Sequence, residues 1–352
     1  MRILHVVAGE KWTGAAAVVY DWTKALVESG VEVQFAFVGG SPLARRLGPA
    51  GWTRPLLTRA RGPVATLRDA RTLRETVLRE RFDVVHTHLT HDHSVAALAR
   101  RTTGARLVRT IHHLRHVRRD PFTRALFAHT DAFSFANREI ADAFGAEAPI
   151  HSPVVDTATF SSGPKPEDLP AVRIPAGAFV IGTVGKLGPG RGYEEAIAAA
   201  APLSENAVLL HVGKGERRPA LEALAARLGA ARRNLWAGYQ EEALPSFYRA
   251  MDVFLFAGSG SQQGQRAILE AMATGVPVVA LPVPGVRDLV TEGAEGLIAR
   301  DAEGLTAALR WLAADPALRA RMADAARRRA LAFTGAAFAP AARALYERVL
   351  SS

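Results

Sequence analysis

Between Val253 and Leu281 the chain passes from a short apolar run, Val253–Phe256, into a Gly/Ser loop and then a helical stretch beginning near Gln265. Gly275 breaks that helix, and Pro277 with the β-branched pair Val278–Val279 opens a second strand. Two strands joined through a helix lie parallel in one sheet, so this unit commits the chain to an α/β layout. The Gly/Ser loop adds chemistry. A glycine loop feeding a helix N-terminus leaves backbone N–H groups unpaired, and such a site receives a phosphate. Glu270, the one acid of the helix, faces whatever that phosphate carries.

The same alternation runs along the whole chain. In the first half strands are expected at Arg2–Val7, Val31–Val38, Val84–His86, Leu107–Ile111 and Ala132–Phe135, with helices at Ala15–Ser29, Ala65–Arg79, Ser94–Arg101, Pro121–Ala128 and Arg138–Phe144. The Pro-, Ser- and Gly-rich stretch after Asp156 lacks periodicity and reads as a linker. Strands resume at Phe179–Val184, Ala207–Val212, Val253–Phe256 and Val278–Leu281, and the chain ends in helices that include Ala302–Ala314 and Ala337–Val349. The expected division is an N-terminal domain over 1–156, a linker over 157–177 and a C-terminal domain over 178–330. A last helix in 331–352 is expected to cross back to the first domain. Doubly wound sheets bind ligands at the carboxyl ends of their strands, so two facing domains would share a central cleft.

Composition narrows the chemistry. The absence of cysteine excludes disulfides, thiolate metal sites and cysteine nucleophiles. The opening MRILHVVAGE is too short an apolar run for a signal peptide, and no long uninterrupted apolar stretch follows, so a cytoplasmic protein is expected. Net charge is +10, and residues 1–160 hold 22 Lys+Arg against 15 Asp+Glu. A basic first half suits an anionic partner such as a membrane surface or a phosphorylated ligand. Arginine-rich coding bias accounts for the charge equally well, since only five of the cations are lysine. Nucleic acid is not expected, because the basic stretches lack interleaved stacking aromatics.

The segment Gln262–Val279, QQGQRAILEAMATGVPVV, resembles the donor-sugar signature of the retaining GT-B glycosyltransferases of family 4: an acid, seven residues, a second acid, then Ala-Met-Ala-x-Gly-x-Pro-Val-Val. Glu270 stands as the second acid; the first is replaced by Gln262. The resemblance implies the GT-B fold, two Rossmann-like domains, and sugar transfer from a nucleotide-diphospho-sugar with retention at the anomeric carbon. It implies that Glu270 binds the ribose and that Gly264, Gln265 and Ala267 lie along the diphosphate and sugar; Arg266, where the family usually has an apolar residue, is a further candidate for a phosphate contact at the helix N-terminus. Lys186 after Gly185, and Arg191 before Gly192, resemble the family's cation pair on the diphosphate, with lysine and arginine exchanged. Gly213 and Tyr239 resemble the segments that neighbour the nucleotide, and Gly14 with Ala15 resembles the Gly-Gly loop approaching donor and acceptor. His112 at the end of Thr-Ile-His-His is the implied active-site histidine. Lys186, Arg191, His112 and Gln262 are thus the catalytic candidates.

Seven of the eleven histidines lie between His86 and His116. A metal reading is weighed and set aside, because no cysteine and few acids accompany them; neither metal nor cofactor is expected. His86 reads as a satisfied core histidine. His88, Arg115, Arg118 and Arg119 are candidates for an acceptor or an anionic leaflet, within a basic run that extends to Arg124. The expected role is a UDP- or GDP-sugar transferase working on a sugar, lipid-linked or small-molecule acceptor in cell-envelope polysaccharide, glycolipid or glycoside synthesis, peripheral to the inner membrane face. A nucleotide-sugar epimerase on the same architecture and a non-catalytic scaffold are the alternatives.

Overall fold

Strand order in each half follows from parallel crossovers. In a computed structural model the described residues are 1–12, 14–47, 50–60, 62–117, 120–258 and 262–352, without the side chains of residues 262 and 263. The chain divides into two compact units, Met1–Val154 with Gly335–Ser352, and Val155–Thr334.

The first unit holds β1 (Arg2–Val7), β2 (Glu32–Val38), β3 (Thr53–Leu57), β4 (Val84–Thr87), β5 (Arg106–Ile111) and β6 (Ala132–Phe135). All pair in parallel in the order β3-β2-β1-β4-β5-β6, so the chain reverses its winding direction between β1 and β4. Period-two alternation divides each strand between two layers. Ile3, Val7, Val84 and Val108 face the helices Gly14–Glu28 and Gly335–Ser351, while Leu4, Val6, Val85 and Leu107 face Pro63–Glu80 and Thr90–Arg100. The same alternation places His5, His86 and Thr110 in the first layer, against Tyr346, and Thr87 and Arg109 in the second.

The second unit holds β7 (Phe179–Val184), β8 (Ala207–Val212), β9 (Asn234–Gly238), β10 (Val253–Phe256), β11 (Val278–Ala280) and β12 (Gly296–Ile298). These are parallel in the order β12-β11-β10-β7-β8-β9, with the reversal between β7 and β10. The helix Gln262–Thr274 fills one face through Ile268, Leu269 and Met272, and Tyr193–Ala200 with Ala302–Ala314 fills the other. Both sheets carry flanking helices on both faces, the doubly wound α/β class.

Two expectations shift. The stretch 157–177 packs on the second unit: Phe160 is buried in its core, and Leu169, Val172 and Ile174 pack against it. Its composition hides this because the apolar anchors are few and aperiodic. The helix after β10 starts at Gln262 instead of near Gln265. Among the described residues no helix is long and apolar enough to cross a membrane.

Candidate active site

At the reversal between β7 and β10 a crevice opens at the carboxyl ends of the strands. A pocket of about 480 Å³, counting space open to solvent, lies there. Its walls include Thr183, Gly185, Lys186, Arg191, Gly192, Tyr193, Ala257, Gly258 and Gly264. Four residues singled out in the sequence, Gly185, Lys186, Arg191 and Gly264, therefore share one wall system. The Lys186 ammonium is exposed and paired with Glu216 at 3.1 Å. A local backbone hydrogen bond, together with Lys186, holds the Glu216 carboxyl below its ordinary range.

Glycine makes this pocket possible by letting backbones touch. Gly192 has φ 77, and a Cβ there would sit 2.2 Å from the Ala257 carbonyl carbon. Facing it, a Cβ on Gly258 would meet the Arg191 oxygen at 2.7 Å, and one on Gly264 would enter the Phe256 ring. The loops after β7, β8 and β9 are joined similarly: Gly185 N donates to Val212 O at 3.0 Å, and Gly213 N to Gly238 O at 2.8 Å. Gly213 approaches Gly185 so closely that a Cβ would lie 1.8 Å from its oxygen. Tyr239 follows β9, half exposed, with Lys214 Nζ 4.8 Å above its ring and its hydroxyl donating to Glu241. We expect Gly192→Ala to combine positive-φ strain with a backbone clash, lowering stability by about 2 kcal/mol or more. Urea unfolding checks this; an unchanged midpoint would mean the two loops are not in contact.

Beyond Gly264 the helix departs from what the sequence suggested. With the helix starting at Gln262, its first turn is Gln262–Gln265, three residues ahead of the expected start. Gln265 is buried; its Nε2 donates to Pro284 O at 3.3 Å and its Oε1 has no partner. Ala267 is in the apolar core, so its side chain is unavailable to a donor. Arg266 Nε meets Glu270 Oε1 at 2.9 Å, and the Tyr248 hydroxyl donates to Glu270 Oε2 at 2.9 Å. Burial raises the Glu270 pKa while Arg266 and Tyr248 oppose the rise; the same burial and the adjacent carboxylate push Tyr248 upward. Glu270 thus has a partner on each oxygen and does not line the pocket. Glu270→Ala is expected to cost about 3 kcal/mol, because it takes the acceptor from a buried phenol and breaks a largely buried ion pair. Glu270→Gln should cost less, and equal urea midpoints for wild type and alanine variant would contradict this pairing. The Gln262 side chain, Arg118 and Arg119 lie outside the described residues.

In the first unit, Gly14 and Ala15 form the first turn of the helix after β1, with Ala15 packed inward. His112 follows β5, is buried, and has its Nε2 3.2 Å from His88 Nδ1 and its ring stacked near Trp22. His88 is fully buried beside His112. Arg115 is exposed. His86 is satisfied on both nitrogens, by the Tyr346 hydroxyl at 2.8 Å and the Thr110 hydroxyl at 2.7 Å. His5, which sequence reasoning passed over, completes the network: Nε2 meets the Tyr346 hydroxyl at 2.9 Å and Nδ1 the Thr23 hydroxyl at 3.1 Å. His5, His86 and His88 lie close enough together to share a metal. Hydroxyls occupy all four nitrogens of His5 and His86, so a cation would have to displace them.

Residues 178–315 match the family model for glycosyl transferases group 1, and residues 12–155 match that for glycosyltransferase family 4. A D-inositol 3-phosphate glycosyltransferase of Acidothermus cellulolyticus is 30% identical over 302 residues, 75% of this chain and 67% of the relative. The lipopolysaccharide core biosynthesis glycosyltransferase LpsE of Rhizobium meliloti is 36% identical over 159 residues, 45% of this chain and 46% of the relative. The chain thus spans about half to two thirds of the length of these curated relatives. Among solved structures, Anabaena HepE in complex with UDP and glucose superposes with a TM-score of 0.81 at 19% identity, covering 99% of each chain.

The two wound units have the GT-B architecture. The chain belongs to glycosyltransferase family 4, with a group 1 glycosyltransferase domain as its second unit.

Proposed function

We propose that the protein is a retaining glycosyltransferase that moves a sugar from a UDP- or GDP-sugar to an acceptor hydroxyl, in the synthesis of a cell-envelope polysaccharide, glycolipid or glycoside. The observation that carries this reading is the convergence of Gly185, Lys186, Arg191 and Gly264 on the pocket at the β7/β10 reversal. Two cations beside a helix N-terminus suit a diphosphate, whose charge backbone amides alone would leave uncompensated. Fixed cations fill the role a divalent metal would otherwise take, so transfer is proposed to be metal-independent.

In the reaction the bond from the anomeric carbon to the β-phosphate oxygen breaks, and its electron pair stays on the departing diphosphate. Lys186 and Arg191 stabilise that developing charge. The acceptor oxygen bonds to the anomeric carbon from the same face, and its proton passes to the leaving oxygen. His112 steadies the sugar, and Gln262 offers its amide to sugar hydroxyls, a neutral hydrogen bond where relatives offer a charge-assisted one. Glu270 takes the ribose: each carboxylate oxygen accepts two hydrogen bonds, so the Tyr248 and Arg266 contacts orient it without exhausting it. Gly14, Ala15, Gly213 and Tyr239 complete the donor surroundings, and the protein acts in the cytoplasm, peripheral to the membrane.

A panel of UDP-, GDP- and ADP-sugars tests this with a chelator present. The expected result is slow acceptor-independent release of one nucleoside diphosphate, and thermal stabilisation by that same nucleotide. Neither release nor stabilisation with any donor would sink the reading.

A further inference from the structure

The opposite layer of the first unit holds a second pocket, of about 1130 Å³ counting space open to solvent, that the donor reading leaves unused. Period-two alternation turns Arg109 of β5 into this layer, and the guanidinium is 2% exposed. Its Nη1 meets Leu89 O and, at 3.3 Å, Asp92 Oδ1, but its buried Nε has no partner. His116 Nδ1 is likewise buried and unpartnered, and Arg115 stands exposed beside it. Burial and the nearby Arg109 lower the His116 pKa to about 4, so the imidazole is neutral at pH 7 and donates from Nδ1 when that atom carries the proton. Asp120, the one acid on the described lining, is occupied in capping the helix Pro121–Phe127 through Thr123 N at 3.0 Å and the Thr123 hydroxyl at 2.9 Å. The facing wall is apolar: Phe122, which is 63% exposed, with Leu126 and Phe127.

Unpartnered buried donors are costly, and a ligand oxygen relieves that cost. Arg109 Nε, the Arg115 guanidinium and His116 Nδ1 ask for three acceptor atoms. A phosphate monoester presents three terminal oxygens, whereas a carboxylate presents two. We propose that this pocket binds a phosphate monoester carrying an apolar chain or ring, the phosphate on Arg109, Arg115 and His116 and the apolar body on Phe122 and Leu126. The inference stands on the first unit alone and does not depend on the donor reading.

Titration calorimetry of the full chain with monomeric decyl phosphate, in phosphate-free buffer, tests it. Saturable one-to-one binding is expected. Arg115→Ala and His116→Ala should each weaken it about tenfold, as loss of a charge-assisted hydrogen bond does, and Phe122→Ala should weaken it several-fold. Inorganic phosphate should bind at least about tenfold more weakly, for want of the apolar contact. Arg109 is left unvaried because its removal takes the one cation from the buried Asp92 carboxyl, and circular dichroism verifies that the other variants fold. Phosphatidylcholine vesicles containing phosphatidic acid identify the source. Co-sedimentation that Phe122→Ala abolishes, on top of decyl phosphate binding, supports the proposal with a lipid headgroup as ligand; decyl phosphate binding without co-sedimentation supports it with a soluble ester. No saturable binding of decyl phosphate, binding indifferent to all three substitutions, or equal affinity for inorganic phosphate would each overturn it.

Discussion

Arg191→Ala is expected to lower kcat/KM for sugar transfer by about 10²–10³, the usual consequence of removing one fixed stabiliser of a developing anion. Arg191 lies where Gly192 and Gly258 hold two loops in backbone contact, so its Cα is fixed relative to the pocket. Arg191→Lys should restore only part of the loss, because an ammonium keeps the charge and forfeits the two-pronged geometry. Lys186→Ala should cost less, about tenfold, since that ammonium is exposed and already shared with Glu216. Steady-state kinetics with a saturating acceptor separate these outcomes. An Arg191→Ala enzyme within twofold of wild type would remove the arginine from the mechanism.

Acidification is expected to unfold the first unit before the donor pocket loses a charge. His5, His86, His88 and His151 are all buried, and burial lowers each pKa: His5 to about 3, His151 to about 4, the other two well below the ordinary value. Below pH about 6.5 the unfolded chain binds protons that the folded chain refuses, so stability falls with pH from there toward the folded pKa values. At pH 5 each such imidazole costs about 2 kcal/mol. Asp92 acts in the opposite sense. Burial raises its pKa to about 7 against the pull of Arg109, so the folded state takes up its proton first and regains about 2 kcal/mol over the same interval. The balance remains a loss of several kcal/mol, from imidazoles outnumbering the one raised carboxyl. Urea midpoints measured at pH 7.5 and pH 5 should differ substantially, and coincident midpoints would show these histidines protonating freely in the folded protein.

The inner strands β1, β7, β8 and β10 were legible because buried parallel strands read as nearly continuous apolar runs, and these four, with the edge strand β6, begin and end where the sequence placed them. The strands not anticipated are β3, β9 and β12, each at the edge of its sheet. An edge strand is covered on one side only and tolerates weak formers: Pro55 in β3, Asn234 in β9, and three residues starting with Gly296 in β12. The site divides along a similar line. Gly185, Lys186, Arg191 and Gly264 are announced by strand ends and glycine loops, which are local signals. The Tyr248–Glu270–Arg266 group is not, because Tyr248 comes from a different helix 22 residues upstream of Glu270. Nor is His5 beside His86, a pairing made only by the adjacency of β1 and β4. An isolated histidine in a strand carries no mark of the hydroxyl it meets.

Amide hydrogen exchange of the full chain, with and without a saturating nucleoside diphosphate, tests the central claim most directly. Slowed exchange is expected in residues 185–192, 213–215 and the first turn of the helix Gln262–Thr274, in the presence of a chelator. Unchanged exchange in those three segments with UDP, GDP and ADP alike would contradict it.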